Sequence, residues 1–124
     1  MNGVDYLLDT NILIYIMQGN PNVRYFAQSD MFVISVIAEM ELLGKYKIDD
    51  TEKIIVSEML KDCYILDIDV LVKQKAIEIR QRYKVKLPDA IVAATAIQKG
   101  LSLVTADKGF QKIMDLDIIL IDTL

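Results

Sequence analysis

The sequence lacks two residue types on which many active sites depend. It contains no His among its 124 residues, and Cys63 is its only cysteine. The missing His removes the most common general acid–base side chain and the most common zinc ligand. A single cysteine excludes both a disulfide framework and a cluster of thiolate metal ligands, and Cys63 is expected to be a small buried hydrophobic residue. Any catalysis must therefore use carboxylates, hydroxyls, amides, Lys or Arg, a set that suits hard cations such as Mg²⁺ or Mn²⁺.

Long apolar runs and an excess of positive charge are also absent. The hydrophobic stretches are short and interrupted by charge, so no membrane span is predicted. The N-terminus lacks the basic start and small-residue cleavage site of a signal peptide, and we expect a cytoplasmic protein. The net charge of −4 means that the overall field of the chain would not attract nucleic acid. Binding of nucleic acid would need local basic residues or a bound metal ion.

Strand-like apolar runs alternate with helical patterns along the whole chain. The length and the 53% content of hydrophobic residues predict one domain over residues 1–124, with no linker and no internal repeat. The alternation predicts an α/β fold in which helices cover both faces of a parallel sheet. The predicted strands are residues 4–9, 31–36, 63–68, 101–106 and 117–122.

Two helices are predicted from the spacing of their apolar residues. One spans residues 70–84 and the other spans residues 89–99, where alanines recur on one face and Gly100 ends the helix. The apolar face of the first helix is expected to carry Leu71, Ala76, Ile79 and Tyr83.

Acidic and hydroxyl residues stand directly after several predicted strands. Open parallel sheets bind ligands at the carboxyl ends of their strands, near the position where the strand order reverses. Topology therefore predicts that carboxylates from distant parts of the chain converge at one edge of the sheet. The acids expected there are Asp9, Glu41, Asp89 and Asp107.

Three of these acids also have an ordinary structural explanation. Asp9, Asp89 and Asp107 each stand at a helix start, where a carboxylate caps the helix and favours its dipole. Glu41 instead lies within a helical segment beside predicted core residues, where an unpaired carboxylate is costly and a cation would be a favourable partner. The competing acid, Glu39, is expected to face solvent. Carboxylates packed together repel each other, and a divalent cation with waters and phosphate oxygens would remove that conflict and suit phosphodiester hydrolysis.

Four segments in order resemble the PIN-domain family, and within it the VapC-type toxins of bacterial toxin–antitoxin pairs. They are LLDTNILIY, ISVIAEMELLGK, LPDAIVAATAI and LVTADKGFQKI. The resemblance implies a three-layer sandwich with a five-stranded parallel sheet, and Mg²⁺- or Mn²⁺-dependent endoribonuclease activity on single-stranded or loop regions of RNA. It also implies a homodimer and a small antitoxin that binds across the active-site groove, with no direct binding to DNA without that antitoxin.

The same resemblance implies roles for individual residues. Glu41 lies six residues after Ser35, which is the spacing of the family and selects Glu41 over Glu39. Ser35 and Thr105 would orient water or phosphate, although each also suits a helix cap. The implied metal ligands and catalytic acids are Asp9, Glu41, Asp89 and Asp107, and the implied positioning residues are Asn11, Ser35 and Thr105.

A short basic stretch precedes the third acid. Arg80, Arg82, Lys84 and Lys86 are interpreted as a strip that binds the RNA backbone, which needs only a few placed cations. The alternative is an ordinary solvated helix face. Tyr83, within the stretch, would either stack on a base or belong to the core.

Three other functions suit the same fold class. A receiver domain would need paired acids at the end of the first strand and a Lys at the end of the fifth, and the sequence has neither. A phosphatase of the haloacid dehalogenase type would need Asp at the position of Asn11 and would leave Glu41 without a role. A non-catalytic interaction domain of the same fold is disfavoured because all four acids are present.

Overall fold

A computed structural model gives the structure of residues 6–122. Five strands lie in the five predicted segments, of which residues 4 and 5 fall outside the described part. The strands are β1 (Tyr6–Leu8), β2 (Phe32–Ser35), β3 (Cys63–Leu66), β4 (Ser102–Thr105) and β5 (Ile118–Leu120). The helices are α1 (Thr10–Met17), α2 (Arg24–Ala27), α3 (Val36–Leu43), α4 (Asp50–Leu60), α5 (Val70–Arg82) and α6 (Leu87–Lys99), with 3₁₀ helices at Pro21–Val23 and Lys108–Lys112.

Every strand pairing among the described residues is parallel. β4 pairs with β1 on one side and with β5 on the other, and β2 pairs with β3. The expected single five-stranded sheet is therefore seen as a three-stranded and a two-stranded sheet. The described part of β1 is only three residues long, and it pairs with β4 along one edge but not with β2 along the other. β2 still lies beside β1, so the spatial order is β3-β2-β1-β4-β5, and the order in which successive strands are added reverses at the β1–β4 pair.

Side chains alternate across the strands into two separate cores. Leu7 and Leu8 are both buried but belong to different cores, as do Leu103 and Val104. Both faces of the sheets are therefore covered, as expected of parallel strands. One core contains residues of α5 and α6, and the other contains residues of α1, α2 and α4, while α3 contributes to both.

The predicted apolar stripe of α6 is confirmed, whereas that of α5 is partly wrong. Ala90 and its helical neighbours are buried, and Gly100 ends α6 with a φ of +66°. In α5, Leu71 is 60% exposed and Val72 is buried in its place. Asp69 caps α5 by accepting a hydrogen bond from the Val72 N–H (2.9 Å). The face that begins at Val72 continues through the buried Ala76 and Ile79, so Leu71 is rotated away from the core by about 100°.

The structure also bears on two functions that the sequence disfavours, which are thiol chemistry and membrane insertion. Cys63 is half-buried, and burial raises the pKa of its thiol to about 11, which makes it a poor nucleophile. No helix in the described part of the chain has the length and apolar character needed to cross a membrane.

Candidate active site

Asp9 joins the carboxyl ends of β1 and β4, the two neighbouring strands at which the strand order of the sheet reverses. Its Oδ1 accepts a hydrogen bond from the Thr10 N–H (2.9 Å), so Asp9 does cap α1 as its position suggested. Its Oδ2 accepts a second hydrogen bond from the hydroxyl of Thr105 (2.8 Å), a residue that is fully buried at the end of β4. Both carboxylate oxygens are thus held in a fixed orientation. The cap and the candidate site use the same side chain.

Thr105 also connects Asp9 to Asp107. Its hydroxyl oxygen accepts a hydrogen bond from the Asp107 N–H (3.0 Å) while its proton is donated to Asp9. Asp107 caps the second 3₁₀ helix, where its Oδ1 accepts from the Gly109 N–H (2.8 Å). One buried hydroxyl therefore sets the relative position of two acids that are separated by most of the chain.

Glu41 reaches the same region from α3, but it does not lie beside the core as the periodicity of the helix predicts. The buried face of α3 is formed by Ile37, Ala38 and Leu42, so Glu41 itself is exposed. It is tied to the site by the Thr10 hydroxyl, which donates a hydrogen bond to its Oε1 (2.6 Å). The core-facing side of α3 therefore differs from the one that its apolar periodicity predicts.

Asp89 and Glu39 are both half-buried in the first turn of a helix. Asp89 lies half-buried in the first turn of α6, which begins at Leu87 with Pro88 in its first turn. Its charge interacts with those of Asp107 and Glu41. Glu39 is half-buried in the first turn of α3, rather than facing solvent as expected.

Burial and mutual repulsion disfavour the ionised form of two of the acids. Burial raises the pKa of Asp9, and the charges of Asp89 and Glu41 raise it further, against the hydrogen bonds from Thr105 and Thr10. Burial likewise raises the pKa of Asp89, and Asp107 and Glu41 add to the effect. The four carboxylates are therefore close enough to interact electrostatically, and together they form a region of negative potential.

The donor set fits a hydrated hard cation better than a closed metal cage. Within residues 6–122, no three acids or cysteines lie close enough together to hold a metal ion in their present positions. Mg²⁺ commonly keeps several waters and binds through one or two carboxylates, so it does not need such a cage. Asp9 and Asp89 are the best candidates to hold an ion, because neutralisation would relieve their desolvation and their repulsion.

A cleft of about 230 Å³ opens beside Asp89 and Asp107. Its walls include Lys84 and Lys86, two members of the predicted basic strip, and Lys112, which sequence reasoning missed. Lys112 donates a hydrogen bond from Nζ to the carbonyl oxygen of Lys84 (2.8 Å). The sequence signal for Lys112 was weak, because it lies within a 3₁₀ helix that follows the last acid and is far in sequence from the basic stretch.

The other two members of the basic strip lie elsewhere. Arg80 lines a separate apolar groove between α5 and α6, together with Ile77 and Leu87. Arg82 lies with its guanidinium 5.5 Å from the ring centre of Tyr83. Tyr83 is half-buried against the core, and its hydroxyl accepts a hydrogen bond from the Met114 N–H (3.3 Å). This placement favours a core role for Tyr83 over base stacking.

The remaining polar residues differ in their accessibility. Ser35 is buried, and its hydroxyl oxygen accepts a hydrogen bond from the Ile37 N–H (3.1 Å) as the cap of α3. Asn11 is exposed in the first turn of α1, next to Thr10. Their roles in positioning a substrate stay predictions.

Comparisons with known proteins identify the family. A family model described as the PIN domain matches residues 6–116. No curated protein matches the chain. A chain in a toxin–antitoxin complex from Klebsiella pneumoniae is 32% identical, with a TM-score of 0.75 and coverage of 92% of this chain and 95% of that one.

Two further solved structures have the same overall fold. VapBC2 from Rickettsia felis, bound to a DNA fragment from its promoter, contains a chain that is 25% identical with a TM-score of 0.78, covering 94% of this chain and 98% of that one. FitAcB from Neisseria gonorrhoeae contains one that is 27% identical with a TM-score of 0.73, covering 92% and 96%. The chain therefore belongs to the PIN-domain family, and within that family it is of the VapC type, as the four sequence segments predicted.

Proposed function

We propose that this protein is a Mg²⁺- or Mn²⁺-dependent endoribonuclease that acts as the toxin of a toxin–antitoxin pair in the cytoplasm. The observation that carries the proposal is the junction of β1 and β4, where the Thr105 hydroxyl holds Asp9 and the backbone of Asp107 together. Glu41 and Asp89 interact electrostatically with that junction. Membership of the PIN family supports nuclease activity, and the resemblance of the four segments to VapC-type toxins supports RNA as the substrate.

Different residues of the site would have different roles in phosphodiester hydrolysis. Asp9 and Asp89 would hold the cation, which when bound supplies Lewis-acid stabilisation of charge on the phosphate. Glu41, oriented by Thr10, is accessible enough to accept a proton from the attacking water. The water oxygen would form a bond to phosphorus as Glu41 takes its proton, the bond to the leaving ribose oxygen would break, and a solvent water would protonate the leaving oxygen. No His is present, so in this scheme the proton transfers are performed by the Glu41 carboxylate and by water.

A groove beside the acids supports the proposed antitoxin partner. It has a volume of about 590 Å³, lies between α1, α3 and α4, and includes Thr10 and Glu41 in its wall. Apolar side chains such as Ile14, Met17 and Ile55 form much of the rest of the groove wall. A peptide segment lying in this groove would bury apolar surface and cover Glu41 at the same time. The solved relatives are complexes with antitoxins, which supports a cognate antitoxin here.

The proposed homodimer would use a different surface. Val70, Leu71 and Ile77 on α5 and Leu87 on α6 are large apolar residues that are more than half exposed. Apolar patches of this kind are typical of protein interfaces. This face lies on α5 and α6, whereas the groove lies between α1, α3 and α4, so the two proposed interfaces share no residue.

The test is cleavage of a labelled single-stranded RNA by purified protein with Mg²⁺ and with excess EDTA. We expect cleavage by the wild type only with Mg²⁺, and loss of at least about 100-fold in rate for Asp9→Asn, because the cation loses a carboxylate ligand. The matched control is Asp30→Asn, an exposed acid before β2 that lies outside the site and should cleave like the wild type.

A single-stranded DNA of the same sequence distinguishes ribonuclease activity from general nuclease activity. Cleavage that persists in EDTA would refute the metal assignment. A wild-type protein that binds its antitoxin but cleaves no RNA would instead support the non-catalytic interaction domain.

A further inference from the structure

We propose that Lys112 is a substrate-positioning residue that binds a backbone phosphate of the RNA, together with Lys84 and Lys86, in the cleft beside Asp89 and Asp107. The inference rests on the proposed ribonuclease function and names the part of the protein that holds the strand next to the acids. It replaces the continuous basic strip with a cluster built from two distant segments, which we call the lysine cleft (Lys84, Lys86 and Lys112).

The lysine cleft is assembled by tertiary contact. Lys84 and Lys86 lie in the segment between α5 and α6, whereas Lys112 ends the second 3₁₀ helix. The hydrogen bond from Lys112 Nζ to the Lys84 carbonyl oxygen (2.8 Å) joins the two segments. An ammonium group has three donors, so two remain for a phosphate oxygen. Lys112 thus holds the segment and still presents charge to the cleft.

Asp89 and Asp107 stand in the wall of the lysine cleft, but neither forms an ion pair with its lysines. Within residues 6–122, none of its three lysines forms an ion pair, whereas Lys45, Lys61, Lys75 and Lys99 each do so elsewhere on the surface. Lys86 and Lys112 interact with Asp89 only at longer range.

The cleft wall holds three exposed lysines and two acids, so on a chain of net charge −4 it carries a local excess of one positive charge. An RNA strand bound by these lysines would release the cations condensed on its own phosphates, which favours binding of a polyanion there.

The position of the cleft specifies which phosphate it would bind. Asp89 and Asp107 form part of its wall, so a phosphate held by the lysines lies next to the acids rather than over them. A single RNA strand entering this cleft would place a neighbouring phosphodiester at the acids. Arg80 and Arg82 do not line the cleft, so their removal should affect RNA binding less than removal of Lys112.

The experiment compares Lys112→Gln with Lys108→Gln, which removes one exposed charge from the same 3₁₀ helix without altering the cleft wall. KM and kcat for single-stranded RNA cleavage are measured at several salt concentrations. Binding of the same RNA is measured in parallel in the Asp9→Asn background. For Lys112→Gln we expect a higher KM, a kcat changed less than KM, and a salt dependence reduced by about 0.7 in the log–log slope. Between about 50 and 200 mM salt, wild-type affinity should then fall by about 2.6-fold more than that of the variant.

A purely structural role for Lys112 would give a different result. If Lys112 only anchored the segment at Lys84, Lys112→Gln would lower kcat and leave the salt slope unchanged, which would overturn the proposal. An unchanged KM and slope would overturn it as well. Lys112→Arg should retain the wild-type slope, because it keeps the charge. If the wild type cleaves no RNA, the proposed function fails on its own, and the binding measurement still reports on the lysine cleft.

Discussion

Replacement of Thr105 by Val tests the geometry on which the site depends. Val has nearly the shape of Thr but lacks the hydroxyl, so Thr105→Val leaves the fully buried position filled. It removes the hydrogen bond to Asp9 Oδ2 (2.8 Å) and the acceptor of the Asp107 N–H (3.0 Å). One substitution therefore removes both hydrogen bonds that the Thr105 hydroxyl makes to Asp9 and Asp107.

The expected loss of stability follows from the charge and exposure of Asp9. A hydrogen bond to a charged group contributes about 1.5–3 kcal/mol net. Asp9 is only partly buried, so water replaces some of the lost interaction, and we expect the free energy of unfolding to fall by about 1–2 kcal/mol at pH 7. The bond from Thr105 lowers the pKa of Asp9, whose ordinary value is 3.8. Without it the pKa rises further, so the acidic limb of the pH–rate profile should move to higher pH.

Urea unfolding at pH 7 and at about pH 3, with the pH dependence of RNA cleavage, measures both effects. The lost bond favours the ionised carboxylate, so the deficit of Thr105→Val should be largest above the pKa of Asp9 and shrink as the pH falls through it. Thr105→Ser is the control, because it keeps the hydroxyl and loses a methyl group at a cost of about 1 kcal/mol at both pH values. If the two variants show the same pH dependence of stability and the same acidic limb, the reasoning is refuted.

Two further predictions concern stability alone. Asp89→Asn should raise the free energy of unfolding at pH 7 by less than about 1 kcal/mol, because burial and repulsion raise the pKa of Asp89 and so penalise its ionised form. That penalty is present above the folded pKa and disappears below the ordinary value of 3.8, so the gain should vanish in urea titrations near pH 3. Gly100→Ala should destabilise the protein by about 1–2 kcal/mol, because Gly100 has a φ of +66° at the end of α6. Gly100→Asn should destabilise it less in thermal unfolding; equal losses for the two variants would contradict the assigned cause.

Much of the fold was predictable because its signals are local. The strands were found from short apolar runs, and α6 was found from alanines at helical spacing followed by a glycine. Asp9 and Asp107 could be placed near each other because each follows a strand, and the ends of β1 and β4 meet wherever those strands pair in parallel.

The errors arose where burial depends on a partner element. Periodicity placed Leu71 in the core and Glu41 beside it, yet both are exposed. A helical pattern fixes which residues share a face but not which face meets the sheet. The two sheets also differ from the expected single sheet, because β1 lies beside β2 without pairing with it, and the composition of the strands does not decide which neighbours pair.

The sequence by itself limited the chemistry that this protein could perform. Without His and with a single cysteine, it predicts oxygen ligands for any bound metal ion, and its four ordered segments predicted the family that the family model confirms. Only the tertiary structure decided which side chains share a surface. It joined Asp9 to Asp107 through Thr105, separated Arg80 and Arg82 from the acids, and brought Lys112 to Lys84. The physical reason is that charge and hydrogen bonding act over a few ångströms in space, and the packing of the sheet sets those distances between residues far apart in the chain.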